Sequence, residues 1–301
     1  MGYWRGAALG VLVTAVACGP VAFFACSSPS TCEGIVACTA DDAGADTGAD
    51  TTDAASDALA DASPGDAALD AKHEAGGPLH IVTWGLGRAP TYSFSSGSQM
   101  SRLRTAIADE FTMTWDEVDS LDGPLAASTA EGAILISYGG FNPITPALSA
   151  QERAALRAFV DAGKFAILIT DNDGFGGSND LVNDSLVSAF GVDAVGTVDL
   201  DGGFTSCVFS GGSAIGQGVG SMVEYYPGWF GLGDASPAPK VLATNPGGAA
   251  VAVFDPKTLG PGAGAVVLFS DSGSFADDVP GNLMLNARTV FFQALHFASG
   301  R

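Results

Sequence analysis

The chain after residue 77 alternates short apolar runs with amphipathic segments. Four runs are apolar enough to predict strands buried on both faces: Leu79–Trp84, Ala133–Tyr138, Phe165–Thr170 and Ala265–Ser270. Three other runs predict shorter strands: Met222–Tyr226, Lys240–Ala243 and Ala249–Phe254. The last two are separated by Asn-Pro-Gly-Gly, which predicts a hairpin.

Apolar residues recur at helical spacing between these runs, in Ser101–Phe111, Ser149–Gly163, Asn179–Phe190 and Leu283–Phe297. The second segment is the clearest, because Ser149 and Glu152 form a capping box and Gly163 provides a stop. Strands in alternation with helices predict an α/β fold. We expect a three-layer, mostly parallel open sheet of the flavodoxin-like type, with helices on both faces.

The stretch before this domain has a different composition. Nine aspartates recur between residues 39 and 77 among Ala, Gly and Thr, with almost no apolar side chains to bury. Such a segment cannot form a core, and its like charges repel one another. We therefore expect residues 26–77 to be a disordered acidic linker that separates a domain at 78–301 from whatever holds the amino terminus.

Charge restricts the class of partner. The chain carries a formal net charge of −21, and its domain at 78–301 has 22 acidic and 10 basic residues. No basic stripe is present, so nucleic acid is not expected as a partner.

The first 25 residues have the form of an export signal. A short positive start at Met1–Arg5 is followed by an uncharged apolar run and a small residue before Cys26. This resembles the signal peptide of a bacterial lipoprotein, in which the cysteine takes the lipid. Cys18 is the competing acceptor, and an uncleaved anchor is a third interpretation. We favour Cys26, because Ser27–Ser30 is already polar, and expect a lipid anchor in the bacterial cell envelope, on the periplasmic or cell-surface side.

Export also sets the redox environment. Cys32 and Cys38 lie close together in sequence, so an oxidising compartment would allow them to form a small disulfide loop. Cys207 would remain alone, and the simplest interpretation is a buried thiol that packs as a small apolar residue.

The order of elements in the domain resembles the class I glutamine amidotransferase-like fold. Three segments carry the resemblance: the capped helix Ser149–Gly163 with the strand ending at Asp171, the helix Asn179–Gly191, and Ser270–Ser272 with Asn282, Asn286 and the last helix. The resemblance implies a cysteine nucleophile on the turn after Phe165–Thr170, with a histidine as its base. That turn carries Asp171 instead, and no late His-x-Glu sequence occurs. We therefore expect a pseudo-enzyme without a catalytic residue.

Polar and small residues follow several predicted strands. Asp171, Asp271 and the pair Gly139–Gly140 lie at carboxyl ends, where open α/β sheets place their ligands. Asp173 follows in the same turn, and Trp229 belongs to an aromatic cluster suited to stacking on a sugar. These six are the candidate ligand-binding residues. Ordinary turn chemistry and core packing explain the same residues equally simply.

No sequence motif supports calcium binding by an EF-hand, nucleotide binding or a serine nucleophile. An EF-hand loop counted from Asp171 would place Phe175 and Val182 at ligand positions, and no Walker A or G-x-S-x-G motif occurs. We expect neither a metal nor a cofactor. The sequence favours a membrane-anchored, non-catalytic module that binds an unknown protein or small ligand. Two alternatives remain: a structural surface protein, and an aspartate- or metal-dependent envelope hydrolase that uses Asp171, Asp173 and Asp271 on a sugar-like substrate.

Overall fold

The computed structural model describes residues 77–137, 146–173, 179–196, 203–233, 235–277 and 286–301. Within these ranges eleven strands form one open sheet. They are β1 Leu79–Trp84, β2 Met113–Val118, β3 Gly132–Ile136, β4 Phe165–Ile169, β5 Asp193–Val195, β6 Phe204–Phe209, β7 Ser221–Tyr225, β8 Trp229–Gly231, β9 Lys240–Asn245, β10 Gly248–Phe254 and β11 Val266–Phe269.

One half of the sheet is parallel, in the order β2-β1-β3-β4-β11. Strands β3, β4 and β11 are buried along their whole length, as expected for parallel strands that are covered on both faces. The predicted strand at Leu79–Trp84 is confirmed residue for residue. The edge strand β2 was not predicted, because its half-exposed sequence includes Asp116 and Glu117 and has no apolar run.

The other half is antiparallel, in the order β11-β10-β9-β6-β7, with β8 paired to β10 and β5 paired to β8. The expectation of a mostly parallel sheet is therefore correct only in part. Its failure has a local reason: β9 and β10 are joined by a tight hairpin, which cannot connect parallel strands. The hairpin itself was predicted.

Helices cover both faces of the sheet, as expected. They are α1 Ser101–Ala108, α2 Pro124–Ala127, α3 Ala150–Asp161, α4 Asn179–Val187 and α5 Ala287–Ser299. Helices α1 and α5 pack into one apolar core, and α2, α3 and α4 pack into the other. Ser149 caps α3 through reciprocal hydrogen bonds with Glu152, and Gly163 follows the helix with φ of 89°.

The loop after β1 is held by a buried ion pair. Arg88 Nη1 lies 2.5 Å from Glu152 Oε1, and the guanidinium stacks over the ring of Trp84 at 4.2 Å. Burial alone would raise the pKa of Glu152, but hydrogen bonds from Arg88 and from the backbone N–H groups of Ser149 and Leu121 lower it to about 2. Glu152 thus joins the start of α3 to the turns after β1 and β2.

Several expectations concern residues outside the described ranges. These are the signal peptide, the lipidation of Cys26, the linker up to residue 76, the pairing of Cys32 with Cys38, and the roles of Gly139 and Gly140. In the described part of the chain, no helix combines the length and the apolar character that crossing a membrane requires.

Candidate functional site

Asp171 lies directly after β4 and points into the protein. Its Oδ2 accepts a short hydrogen bond from the hydroxyl of Ser272, which follows β11. Its Oδ1 accepts from the backbone N–H of Asn172 at 2.7 Å and from Asn172 Nδ2 at 3.0 Å. The carboxylate therefore connects the ends of two adjacent parallel strands, and it is buried.

Asn183 of α4 organises the same turn. Its Oδ1 accepts from Ser137 Oγ at 2.5 Å and from the backbone N–H of Asp171 at 3.1 Å. Its Nδ2 donates to the carbonyl of Asp171 at 2.7 Å and to Oδ1 of Asp173 at 3.1 Å. One buried amide thus fixes the ends of β3 and β4 and the following turn to the helix behind them.

Asp271 performs a comparable task after β11. Its Oδ1 accepts from the backbone N–H of Gly273 at 2.7 Å. Its Oδ2 accepts from the backbone N–H groups of Tyr225 at 2.8 Å and Ser274 at 3.0 Å, and from Ser274 Oγ at 2.7 Å. Only 1% of the residue is exposed. The carboxylate closes its own turn and ties the outer strand β7 to the end of β11.

A second buried carboxyl, Glu224, lies close to Asp271. It is 1% exposed and accepts from Asn245 Nδ2 at 3.1 Å and, over a longer 3.4 Å, from Ser270 Oγ. Burial, reinforced by the charge of Asp271, raises the pKa of Glu224 well above its ordinary value. Burial also raises the pKa of Asp271 to about 6, although the hydrogen bonds from Ser274, Tyr225 and Gly273 oppose that rise.

The turn between β7 and β8 closes over this region. The carbonyl of Tyr226 accepts from Asn172 Nδ2 at 2.6 Å, and the N–H of Gly228 donates to the carbonyl of Ser270 at 3.1 Å. Trp229 begins strand β8 and is half-buried. Its ring lies against Gly196, Gly247 and Gly248, where an added Cβ would meet the indole. In this structure the ring packs on its own chain.

Asn183 thus joins Asp171 to Asp173, and Ser272 joins Asp171 to the turn that Asp271 closes. The two buried carboxylates, Asp171 and Asp271, are occupied by donors of the same chain. We name this arrangement, which also includes Glu224, the strand-end network.

The groups that acyl transfer would need are located elsewhere. Cys207 is buried in β6, and burial, with Glu224 and Asp271 adding to it, raises the pKa of its thiol well above the ordinary range. His80 on β1 pairs with Asp116 at 3.0 Å, and His296 on α5 packs against the ring of Phe111. The hydroxyl of Thr129 lies 3.5 Å from Nδ1 of His80, and the carbonyl of Arg301 lies 3.0 Å from Nδ1 of His296.

The remaining features of the described residues are possible metal ligands and cavities. Across the described ranges, no three His, Cys, Asp or Glu side chains are grouped so that they could hold a metal ion. A cavity of about 540 Å³ lies in the loop between β6 and β7, and Gly, Ser and Ala supply most of its lining. It contains no charged side chain.

Two network residues, Asn183 and Glu224, were not found from the sequence, although each left a signal. Asn183 interrupts the apolar repeat of a helix, between Val182 and Leu186. Glu224 alternates with Met222 on the inward face of a strand. A polar residue at a core position is the expected mark of a buried network.

Comparison with known proteins supports the fold. No family model and no curated protein matches the chain. Among solved structures, the mmIFT52 N-terminal domain matches with a TM-score of 0.52 and 9% identity, covering 73% of this chain and 97% of that one. Cytoplasmic protein STM1381 from Salmonella typhimurium LT2 matches with a TM-score of 0.50 and 14% identity, covering 73% and 99%.

A third structure is a protein from Thermoplasma acidophilum that is provisionally identified as one component of a GMP synthase. Its TM-score is 0.47 at 10% identity, with 75% of this chain and 96% of that one covered. At such low identities the first two matches show the α/β fold with an open sheet and nothing about activity.

The raised pKa values of Asp271 and Glu224 predict a pH-dependent stability. Between the ordinary pKa of Asp271, 3.8, and its folded value of about 6, the folded chain binds a proton that the unfolded chain has released. The free energy of unfolding contributed by this pair is therefore greatest at acidic pH and falls as the pH rises through that window. Glu224→Gln removes one of the charges and keeps an acceptor for Asn245, so it should raise the melting temperature at pH 8 by a few degrees and much less at pH 4.

Thermal unfolding of both proteins across this pH range measures the effect, and Glu110→Gln on the protein surface provides the matched control. A melting temperature of Glu224→Gln that is below wild type at pH 8 would show that Glu224 is stabilising as an ionised group.

Proposed function

We propose that the chain is a membrane-anchored, non-catalytic lipoprotein of the bacterial cell envelope, and that its α/β domain binds a partner or small ligand at the carboxyl-end side of the sheet. The resemblance to glutamine amidotransferase-like domains belongs to this proposal. One observation carries its non-catalytic part: Asp171 stands where that resemblance puts the nucleophile, and Ser272 and Asn172 hold its carboxylate inside the protein.

The chemistry of acyl transfer explains why this observation matters. Cysteine-dependent acyl transfer from glutamine needs a thiolate and a base that returns the proton to the leaving ammonia. A thiol whose pKa is raised by burial is not a thiolate at neutral pH, and Cys207 is such a thiol. A carboxylate that is hydrogen-bonded on both oxygens, like that of Asp171, is a poor substitute.

An aspartate-dependent hydrolase is the second candidate, and Asp271 is the residue that favours it. A carboxyl with a pKa of about 6 could donate or accept a proton near neutral pH. However, a general acid must reach the substrate, whereas both oxygens of Asp271 accept hydrogen bonds from Tyr225, Gly273 and Ser274. Because Asp271 is buried and both of its oxygens already accept hydrogen bonds, a structural role for this residue is favoured.

These facts also restrict how a ligand would bind. The carboxylates of Asp171 and Asp271 point inward, so recognition would use the rim around the strand-end network. That rim includes the half-buried rings of Tyr225, Tyr226 and Trp229.

The membrane-anchored part of the proposal depends on the amino terminus. The positive start, the apolar run and the polar exit after Cys26 support it. We expect the mature protein to begin at an acylated Cys26. Metabolic labelling with an alkyne fatty acid, followed by mass spectrometry of the amino-terminal peptide, measures this. Cys26→Ser should abolish labelling and Cys18→Ser should not; the opposite pattern, or a mature chain without lipid, would contradict the anchor.

The non-catalytic part is tested with the purified full chain in glutaminase, esterase and glycosidase assays. We expect turnover at the buffer background for wild type, Asp171→Asn and Asp271→Asn alike. Turnover well above background that disappears in either variant, while the melting temperature shows that the variant is folded, would favour the hydrolase instead.

A further inference from the structure

Among the described residues, no helix covers one face of the outer strands β6 and β7. Their inward face is buried through Cys207, Phe209 and Met222. Their outward face is exposed on β6 and half-exposed on β7, and by strand register it is formed by Phe204, Ser206 and Val208 opposite Tyr225, Val223 and Ser221. We name these six residues the β6–β7 face. Phe204 is 41% exposed and Val208 is 58% exposed, and the two belong to the four large apolar side chains that are exposed among the described residues.

The composition of the β6–β7 face restricts its occupant by charge. None of its six residues is charged, although the whole chain has a net charge of −21. Two are aromatic, two are aliphatic and two are hydroxyl residues. Such a face offers no charged side chain that could pair directly with a nucleic acid, a basic peptide or an anionic ligand. It suits a neutral ligand that has both apolar surfaces and hydroxyl groups.

Size restricts the occupant further. Three residues on each of two strands cover about 13 Å by 10 Å, or roughly 130 Å², given the usual strand rise and spacing. A stable protein partner, including a second copy of this chain, usually needs about 800 Å² on each side. The β6–β7 face is therefore too small to be the core of such an interface by itself, whereas a short oligomer would fit along the strands.

The free edge of the sheet is closed to an added strand. The carbonyl of Val223 accepts from Ser274 Oγ at 2.9 Å, and the carbonyl of Ser221 accepts from Asn286 Nδ2 at 2.9 Å. The N–H of Tyr225 donates to Asp271 at 2.8 Å. Because side chains already satisfy these outward groups of β7, a peptide could not pair with them by β-augmentation. A ligand of this region has to lie on the face.

Aromatic rings are concentrated at one end of the β6–β7 face. The ring of Phe204 lies 4.8 Å from that of Tyr225, which lies 4.7 Å from that of Tyr226. An open depression of about 320 Å³ is lined by Phe204, Thr205, Ser206 and Val223. Since Tyr226 also accepts a hydrogen bond from Asn172, this end of the face adjoins the rim of the strand-end network.

We propose that the β6–β7 face binds a neutral oligosaccharide, whose pyranose rings stack on Phe204 and Tyr225 and whose hydroxyls bond to Ser206 and Ser221. Sugars combine apolar C–H faces with hydroxyl rims, which is the chemistry that this face offers. The inference rests on the proposed function, because it names the ligand class and extends the binding surface from the rim onto the outer strands.

The test uses isothermal titration calorimetry of the full chain with four neutral probes: cellohexaose, mannohexaose, chitohexaose and laminarihexaose. At least one should bind, and the affinity should be insensitive to salt, because the face carries no charged group. No binding of any probe at millimolar concentration would overturn the proposal.

Variants distinguish ring stacking from non-specific apolar binding. Phe204→Ala should weaken binding by about tenfold, the factor that corresponds to one lost ring contact. Phe204→Leu keeps an apolar side chain but removes the ring, so it should weaken binding nearly as much, whereas Leu181→Ala on α4 should leave it unchanged. Equal affinity in wild type and Phe204→Leu would overturn the stacking geometry. Val208→Lys provides a second variant at an exposed position if Phe204→Ala does not fold, and it should also weaken binding.

Self-association distinguishes this inference from the proposed function. The full chain should have the same sedimentation coefficient with and without Val208→Lys. If wild type is a dimer and Val208→Lys dissociates it, the occupant of the β6–β7 face is a second copy of the chain. That result would overturn the sugar assignment. The domain would then still be a non-catalytic binding module, because that part fails only if the turnover assays succeed.

Discussion

Burying a carboxylate is costly unless its oxygens accept hydrogen bonds, and the domain buries three acidic side chains where its two half-sheets meet. Asp171 connects the ends of β4 and β11, while Asp271 and Glu224 lie between β11 and the antiparallel strands. These bonds hold the outer strands β6 and β7 to a parallel sheet of ordinary design. Rings that line the rim and the β6–β7 face depend on the same attachment, since Tyr225 donates to Asp271 and Tyr226 accepts from Asn172.

Much of the parallel half could be predicted from the sequence. Continuous apolar runs identify β3, β4 and β11, and a capping box fixes the start of α3, because both signals are local. The antiparallel extension was harder to predict. Strand β6 has only two buried residues among six, so it lacks the continuous apolar run of a buried strand. Its exposed positions include Phe204 and Val208, so it also lacks a regular alternation of apolar and polar residues. Pairing of such a strand depends on neighbours that are distant in the chain.

The positions of Asp171 and Asp271 after strands could be predicted, but the surroundings of their carboxylates could not. Asp171 and Asp271 do follow adjacent strands, as their positions after apolar runs indicated. Their inward orientation depends on Ser272, Asn172 and Ser274, whose hydroxyl and amide groups could equally have faced solvent. Sequence patterns place a residue at the end of a strand, but they do not show whether the following turn folds over it. Here the turn from Tyr226 to Gly228 does so.

The central claim is that the hydrogen-bonded carboxylates of Asp171 and Asp271 are structural, and the stability of Asp271→Ala tests it most directly. Residues kept for ligand binding or catalysis commonly cost stability, so replacing them is neutral or stabilising. A structural carboxylate that satisfies buried N–H groups should behave in the opposite way. In urea unfolding of the full chain at pH 7, we predict that Asp271→Ala loses about 2–4 kcal/mol, whereas the exposed Asp255→Ala changes little. An Asp271→Ala protein as stable as wild type, or more stable, would contradict the account.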